Sequence, residues 1–162
     1  MPHRKSFRET VTPGDVESVA KLVRSTEVFN GAEIDIAKEL VEAHLRRGAF
    51  ASGYYFLFAD GADGLDGYVC FGPIPATDAR FELYWIAVKP GTHRKGLGRQ
   101  LQSAAEEAAR SLGAKYMVAE TSTTAAYAPA RGFYLSVGYA QLGEIPHWYS
   151  DEDGRAVFGK QL

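Results

Sequence analysis

The stretch that decides the fold is Val88-Lys-Pro-Gly-Thr-His-Arg-Lys-Gly-Leu-Gly-Arg-Gln-Leu101, VKPGTHRKGLGRQL. It joins an apolar run, FELYWIAV, to RQLQSAAEEAARSLG, which predicts an amphipathic helix. His93, Arg94 and Lys95 crowd the start of that helix, where each cation costs roughly 0.3–1 kcal/mol because a helix N-terminus carries partial positive charge. Small residues such as Gly96 let a ligand approach free backbone N–H groups there. We therefore interpret the segment as an anion site, whose cations offset a phosphorylated cofactor.

Composition places the chain among ordinary globular proteins. It has 162 residues, 46% of them apolar, a formal net charge of −2 and one cysteine. The length favours one domain over residues 1–162, and the charge argues against a nucleic-acid partner. Cys70 lies in the apolar run GYVCFG and is expected to be buried. No signal peptide or apolar span of membrane length occurs, so we expect a cytoplasmic protein without a membrane partner.

The order of predicted elements is β-α-α-β-β-β-α-β-α-β-β. It indicates an α/β (α+β) domain, in which helices flank a mixed, largely antiparallel sheet of six or seven strands. Thr12 is expected to cap the first helix, and the apolar residues of the second helix should face inward: Ile34, Ile36, Ala37, Leu40, Val41 and Leu45. The predicted ranges are 6–11, 12–23, 32–47, 53–58, 67–72, 81–88, 96–112, 115–121, 129–137, 139–143 and 156–161.

Several familiar site types are excluded. The pattern GxxxxGK[ST] of a P-loop is absent, and the third glycine of a dinucleotide fingerprint falls at Leu101. Strands that precede the helix as a meander also disfavour a dinucleotide fold. No His, Cys or Asp cluster has metal-ligand spacing, so no metal is predicted. A GxSxG nucleophile motif is absent as well.

At the glycine-rich segment the residues resemble a known family. The pattern V-x-P-x-x-[Q/R]-x-x-G-x-[G/A], with His93 at the Gln/Arg position, looks like the acetyl-CoA-binding motif of the GNAT superfamily of N-acetyltransferases. The resemblance implies the GNAT fold, acetyl-CoA as cofactor and contacts with it from the strand before the turn, the turn and the helix start. These contacts would come from Ile86, Ala87, Val88, His93, Arg94, Lys95, Gly96, Leu97, Gly98 and Arg99.

A second stretch, ARGFYLSVGY from Ala130 to Tyr139, resembles the family pattern A-x-x-[LF]-Y-x-x-x-G-[FY]. Tyr134 falls on the position that faces the thioester sulfur, and the resemblance implies that it is the general acid. Tyr127 replaces a frequent Asn, and Arg131 is the other residue expected to contact the cofactor. Glu120-Thr-Ser and His147-Trp-Tyr match one subgroup.

The base candidate is Glu82, in the apolar stretch FELYWI, which favours a raised carboxyl pKa. Strand alternation places Glu82, Tyr84, Ile86 and Val88 on one face. The family resemblance further implies that the Val88 N–H is the candidate donor to the carbonyl oxygen of the thioester. Water relayed to Tyr84 is the competing base, and a surface ion pair of Glu82 with Arg80 is the structural alternative.

The resemblance implies acetyl transfer to a primary amine, for which we expect a small molecule. The residues expected to bind this acceptor are Phe29, Glu82, Tyr84, Trp148 and Tyr149. A protein lysine or N-terminal amine is the alternative acceptor. A non-catalytic CoA-binding sensor or interaction domain is the alternative class of function. Relatives that pair through late strands make a homodimer possible.

Overall fold

The computed structural model describes residues 7–92 and 96–162 of the chain. Their elements are α1 (Asp15–Ser25), α2 (Gly31–Ser52), β1 (Tyr55–Gly61), β2 (Gly64–Pro73), β3 (Arg80–Val88), α3 (Leu97–Ser111), β4 (Tyr116–Ser122), a 3-10 turn (Ala125–Tyr127), α4 (Ala128–Ser136), β5 (Ala140–Ser150) and β6 (Asp153–Gln161).

The six strands form one sheet in the order β1-β2-β3-β4-β6-β5. β3 and β4 pair in parallel, with α3 as the crossover between them, and β6 pairs antiparallel with both β4 and β5. The predicted fold class is confirmed.

The predicted first strand, residues 6–11, is wrong in the part that the structure describes. Arg8 makes one isolated antiparallel bridge to Phe58, with N–O distances of 3.0 and 2.8 Å, while Ser6 lies outside the described residues. The Arg8 guanidinium binds the carboxylates of Asp15 and Asp60. This segment is therefore fixed by its side chain and not by a strand ladder.

The start of α1 also differs from the prediction. The helix begins at Asp15, and the Thr12 hydroxyl donates to the Asp15 carboxylate at 3.1 Å instead of accepting from a helix N–H. The Thr12 backbone N–H donates to the same carboxylate at 2.7 Å. The Asp15 carboxylate therefore accepts both hydrogen bonds from Thr12. The threonine is a donor here and does not cap the helix as predicted.

The second helix is longer than predicted and buries a narrower face. It begins after Asn30, which forms a reciprocal capping box with Glu33, and continues to Ser52 across a break at Gly48. Ile34, Ala37 and Val41 are buried at helical spacing, but Ile36 and Leu45 are 47% and 37% exposed, so their predicted inward orientation is wrong. Ile36 lies two residues from Ile34, which turns it about 200° away from the buried face.

The chain divides into two compact units. The first contains the described residues up to Cys70 and those from Trp85 to Ala105; the second contains Phe71–Tyr84 and Glu106–Leu162. In the first unit α1 packs on α2, and the core includes Val19, Val23, Val41, Phe58, Tyr68, Leu97 and Leu101. Cys70 is fully buried, as predicted, and burial raises the pKa of its thiol.

The core of the second unit includes the large buried side chains of Phe71, Phe81, Met117, Tyr134, Tyr139 and Phe158. β5 is longer than the predicted 139–143, and all its residues are exposed. It is a terminal strand of the sheet, with β6 between it and β4. No helix in the described part of the chain is long and apolar enough to span a membrane.

Candidate active site

In the first unit, a tight turn leads from β3 towards α3. The Thr92 N–H donates to the Lys89 carbonyl at 3.3 Å, and Gly91 between them has φ of +69°. Pro90 and Gly91 are therefore the residues that this turn geometry favours at its two central positions. The Lys89 N–H also donates to the Asp66 carbonyl at 2.7 Å, which fixes the turn to β2.

The first turn of α3 has backbone N–H donors and no acidic side chain to offset their partial positive charge. Gly96 has φ of +80°, a left-handed conformation that favours glycine, and its carbonyl accepts from the Gln100 N–H. The N–H groups of Leu97, Gly98 and Arg99 precede this bond and have no acceptor within the helix. No acidic side chain lies in this turn. The donors fit a phosphate or pyrophosphate group.

The predicted cofactor residues of this segment are only partly placed. His93, Arg94 and Lys95 lie outside the described residues. The Leu97 side chain is 1% exposed and belongs to the core, so only its backbone N–H can serve a ligand. Arg99 is exposed and Gly98 is half-buried.

Close packing against β2 fixes the start of α3. A Cβ atom added at Gly67 would lie 2.9 Å from Leu101 Cδ1, 3.0 Å from the Ala87 carbonyl oxygen and 3.3 Å from Leu97 Cδ2. Gly67 therefore allows the helix to approach the sheet, and the orientation of the helix N–H groups depends on this contact.

β3 alternates as predicted. Phe81, Leu83 and Ala87 are buried, whereas the residues of the predicted common face, Glu82, Tyr84, Ile86 and Val88, are half-buried. Trp85 is half-buried as well and contacts Phe29, with ring centroids 4.8 Å apart and an interplanar angle of 50°. Sequence reasoning named Phe29 but missed Trp85, although it stands within the quoted run FELYWIAV.

In the second unit, the Glu82 carboxylate has no hydrogen bond or ion pair to any described residue. Burial raises its pKa, and the nearby positive charge of Arg155 opposes that effect. Arg80, the alternative surface partner, donates to the Asp78 carbonyl at 2.8 Å and lies 6.0 Å from the Tyr116 ring centroid. A half-buried carboxylate with a raised pKa is suited to accept a proton near neutral pH.

The two tyrosines of the second unit that sequence reasoning singled out have different surroundings. The Tyr84 hydroxyl donates to the Pro73 carbonyl at 3.3 Å. Tyr134 is 6% exposed and contacts Phe133, Tyr139 and Phe158 through its ring. Burial raises the Tyr134 pKa, so the phenol stays protonated and can donate a hydrogen bond.

The residues around the start of α4 shape the loop after β4. One Arg131 nitrogen donates to the carbonyls of Ser122 and Thr124, at 2.7 and 2.8 Å. Tyr127 is half-buried at the end of the 3-10 turn. Arg131 therefore has a structural role in addition to the cofactor contact predicted for it.

Sequence reasoning missed the partners of its predicted acceptor residues. Trp148 and Tyr149 are 53% and 52% exposed on β5. The Arg155 guanidinium lies 4.7 Å from the Trp148 ring centroid and forms an ion pair with Glu120. The motif Glu120-Thr-Ser drew attention to Glu120 without assigning it a role.

Across the part of the chain that the structure describes, no group of three or more His, Cys, Asp or Glu could hold a metal ion.

Comparison with known proteins decides the family. A family model described as the Acetyltransferase (GNAT) family matches residues 22–139. The chain belongs to the GNAT family. A GNAT-family protein from Desulfovibrio desulfuricans has a solved structure with 40% identity and a TM-score of 0.91, covering 96% of this chain and 98% of its own. The search of curated proteins returned no match.

More distant structures share the fold. An aminoglycoside 6'-N-acetyltransferase complexed with coenzyme A has 18% identity and a TM-score of 0.73, covering 96% of this chain and 95% of its own. The ribosomal-protein-S18-alanine N-acetyltransferase from Escherichia coli has 16% identity and a TM-score of 0.73, covering 97% and 93%. Its family membership makes the protein a GNAT acetyltransferase, and acetyl-CoA is the cofactor of that family.

Proposed function

We propose that the protein transfers acetyl from acetyl-CoA directly to a primary amine of a small molecule, with Glu82 as the base. The observation that carries the proposal is the state of Glu82: it is half-buried, without a direct partner among the described residues, and has a raised pKa. An amine is protonated at neutral pH, with a pKa near 10.4 for a lysine-like group. A positioned base is needed to take that proton.

Each residue then has a defined role. Bound acetyl-CoA supplies an activated thioester. Glu82 accepts the proton of the amine, directly or through one water, as the new N–C bond forms. The Val88 N–H donates to the carbonyl oxygen of the acetyl group. Tyr134, protonated because it is buried, donates a hydrogen bond and then its proton to the leaving sulfur as the C–S bond breaks.

For cofactor binding we propose that the N–H groups of Gly96 to Arg99 hold the pyrophosphate. The proposal is supported by the first turn of α3, which contains no acidic side chain. His93, Arg94 and Lys95 would add positive charge. Ile86 to Val88 would offer backbone groups to the pantetheine arm, and Tyr127 and Arg131 would contact the cofactor in the second unit.

A small amine with an apolar part is the proposed acceptor. The support lies within each unit: Phe29 and Trp85 form an aromatic pair in the first, and Tyr84, Trp148 and Tyr149 add aromatic surface in the second. The aminoglycoside and ribosomal-protein enzymes above show that this fold serves both kinds of acceptor. A protein amine is the outcome that an acceptor screen must be able to reveal.

We further propose that the chain acts as one domain and pairs as a homodimer. β2 and β3 each contribute residues to both units, which supports a single working domain. β5 is an edge strand with every residue exposed, and Leu142 and Ile145 on it are 56% and 41% exposed. A second copy would cover this edge. We place the protein in the cytoplasm, where acetyl-CoA is available to it.

The test is a screen of acetyl acceptors. The protein is incubated with acetyl-CoA and either small primary amines or peptides with free N-termini and lysines; free thiol and acetylated product are measured. We expect small amines to release thiol and to gain one acetyl group. Glu82→Gln should lower the rate about 10²–10⁴-fold, while the exposed Glu39→Gln leaves it unchanged. Acetylation of peptides alone would replace the proposed acceptor class.

A further inference from the structure

Three charged residues lie in a diagonal row on one sheet face of the second unit. Glu82 on β3 pairs in register with Val118 on β4, and Glu120 stands two residues further along β4. Glu120 pairs with Val157 on β6, and Arg155 stands two residues from Val157. Because paired residues and residues two apart share a face, Glu82, Glu120 and Arg155 lie on the same face.

Arg155 is held by two contacts in this row. Its guanidinium forms an ion pair with Glu120, with the two side chains 20% and 21% exposed, and lies 4.7 Å from the Trp148 ring centroid. Its Nε is buried and has no hydrogen-bond partner among the described residues. The planar guanidinium is therefore held by a carboxylate and an aromatic ring.

Glu120 is the carboxylate nearest to Glu82 in this row. Diagonal neighbours in a sheet lie about 7–8 Å apart, within reach of long side chains. Two ionised carboxylates at that spacing repel, and the repulsion favours protonation of one of them. The ion pair with Arg155 cancels the charge of Glu120 and removes this effect.

We propose that Glu120 and Arg155 are positioning residues, whose ion pair keeps Glu82 ionised and able to accept the proton of the amine. The inference rests on the proposed base role of Glu82. It extends the site by two side chains that act through Glu82 and do not themselves need to touch the acceptor.

The other polar side chains near Glu82 on β3 already form hydrogen bonds. Arg80, on the same strand face, donates to the Asp78 carbonyl. Tyr84, two residues along, donates to the Pro73 carbonyl. On β4 and β6 the charged groups of this face are Glu120, Arg155 and Asp153. The Asp153 carboxylate accepts from the Ser122 hydroxyl at 2.5 Å and lies two residues further along β6 from Glu82 than Arg155 does. The balance of burial, which raises the Glu82 pKa, and Arg155, which lowers it, agrees with this arrangement.

Removal of Arg155 and removal of Glu120 should shift the Glu82 pKa in opposite directions. In Arg155→Gln, Glu120 becomes an unpaired carboxylate, so the Glu82 pKa should rise by about one unit or more. In Glu120→Gln, Arg155 is released from its partner and its charge acts on Glu82 alone, so the Glu82 pKa should fall. The conservative Arg155→Lys keeps the charge and should stay near the wild-type value. A purely structural role predicts loss of activity without opposite shifts.

The experiment titrates the 13C-labelled glutamate carboxylates of the whole protein by NMR, with Glu82→Gln used to assign the Glu82 signal. The acidic limb of the kcat/KM profile is measured in parallel. Lys160→Gln, which breaks the Glu106–Lys160 pair of the same unit, is the matched control; Lys160 alternates onto the opposite face from Arg155, so the Glu82 signal should not move.

Shifts in opposite directions for Arg155→Gln and Glu120→Gln support the proposal. Shifts in the same direction, or none, in folded variants overturn it; if Arg155→Gln does not fold, Glu120→Gln decides alone, because a Glu82 pKa that rises or stays constant in that variant overturns the proposal. If the NMR values move as expected and the rate profile does not, the electrostatic inference holds and the base role of Glu82 fails. The two failures are therefore distinguishable.

Discussion

Gly67 is where a single methyl group should disturb the glycine-rich segment most. Its added Cβ would lie 2.9 Å from Leu101 Cδ1 and 3.0 Å from the Ala87 carbonyl oxygen, which belongs to the sheet backbone and has little freedom to move. Overpacking of this kind costs roughly 1–3 kcal/mol, and two such contacts favour the upper half of that range. Alanine also reduces unfolded-chain entropy, which returns about 0.4–1 kcal/mol. The net loss for Gly67→Ala is about 1–2.6 kcal/mol by these figures.

The assay is thermal unfolding followed by calorimetry, with and without acetyl-CoA. A loss of about 1–2.6 kcal/mol should lower the Tm by about 2–10 °C in a domain of this size. The acetyl-CoA-induced rise in Tm should also shrink, because α3 must shift away from β2. Gly31→Ala is the matched control: its Cβ meets nothing within 4 Å, so its Tm should stay unchanged or rise. A Gly67→Ala protein as stable as the wild type would refute the close-packing argument.

Three further outcomes are expected. Tyr134→Phe should lower kcat at least tenfold without a large change in acetyl-CoA affinity, checked by steady-state kinetics and calorimetric titration; an unchanged kcat would remove Tyr134 from the mechanism. Arg8→Met should lower the free energy of unfolding by about 2–4 kcal/mol, because the Asp15 side chain, which is 4% exposed, loses its ion-pair partner. Burial raises the Asp15 pKa, but hydrogen bonds from Arg8 and the Thr12 region lower it overall, so the stability gap between wild type and variant should shrink as the pH falls below about 4 in urea titrations. Leu142→Lys should convert a dimer to a monomer in sedimentation experiments, and a monomeric wild type would contradict the proposed pairing through β5.

The elements with strong local signals were predictable. α3 follows from its amphipathic run and the closing Gly113, and the segment from Val88 to Leu101 identified the family before any coordinate was known. The alternation of β3 correctly placed Glu82 and Tyr84 on one half-buried face. In these cases the period of the pattern and the position of glycine determine the local conformation directly.

The remaining features depend on contacts between distant parts of the chain. β6 lies between β4 and β5, and no local pattern specifies that order. Glu120 and Arg155 meet only because β4 and β6 are paired in a particular register. Residues 7–11 look like a strand, but the Arg8 guanidinium, bound to Asp15 and Asp60, decides their conformation. Sequence periodicity does not report such pairings.

The most direct test of the account is the pH dependence of kcat/KM for wild type and Glu82→Gln with the best small amine from the screen. The account predicts a wild-type acidic limb that the variant lacks, and a rate ratio of about 10²–10⁴ near neutral pH. That ratio should narrow as the pH approaches the pKa of the amine, near 10.4 for a lysine-like group, because a deprotonated amine no longer needs a base. A ratio close to one at every pH would show that Glu82 does not take the proton.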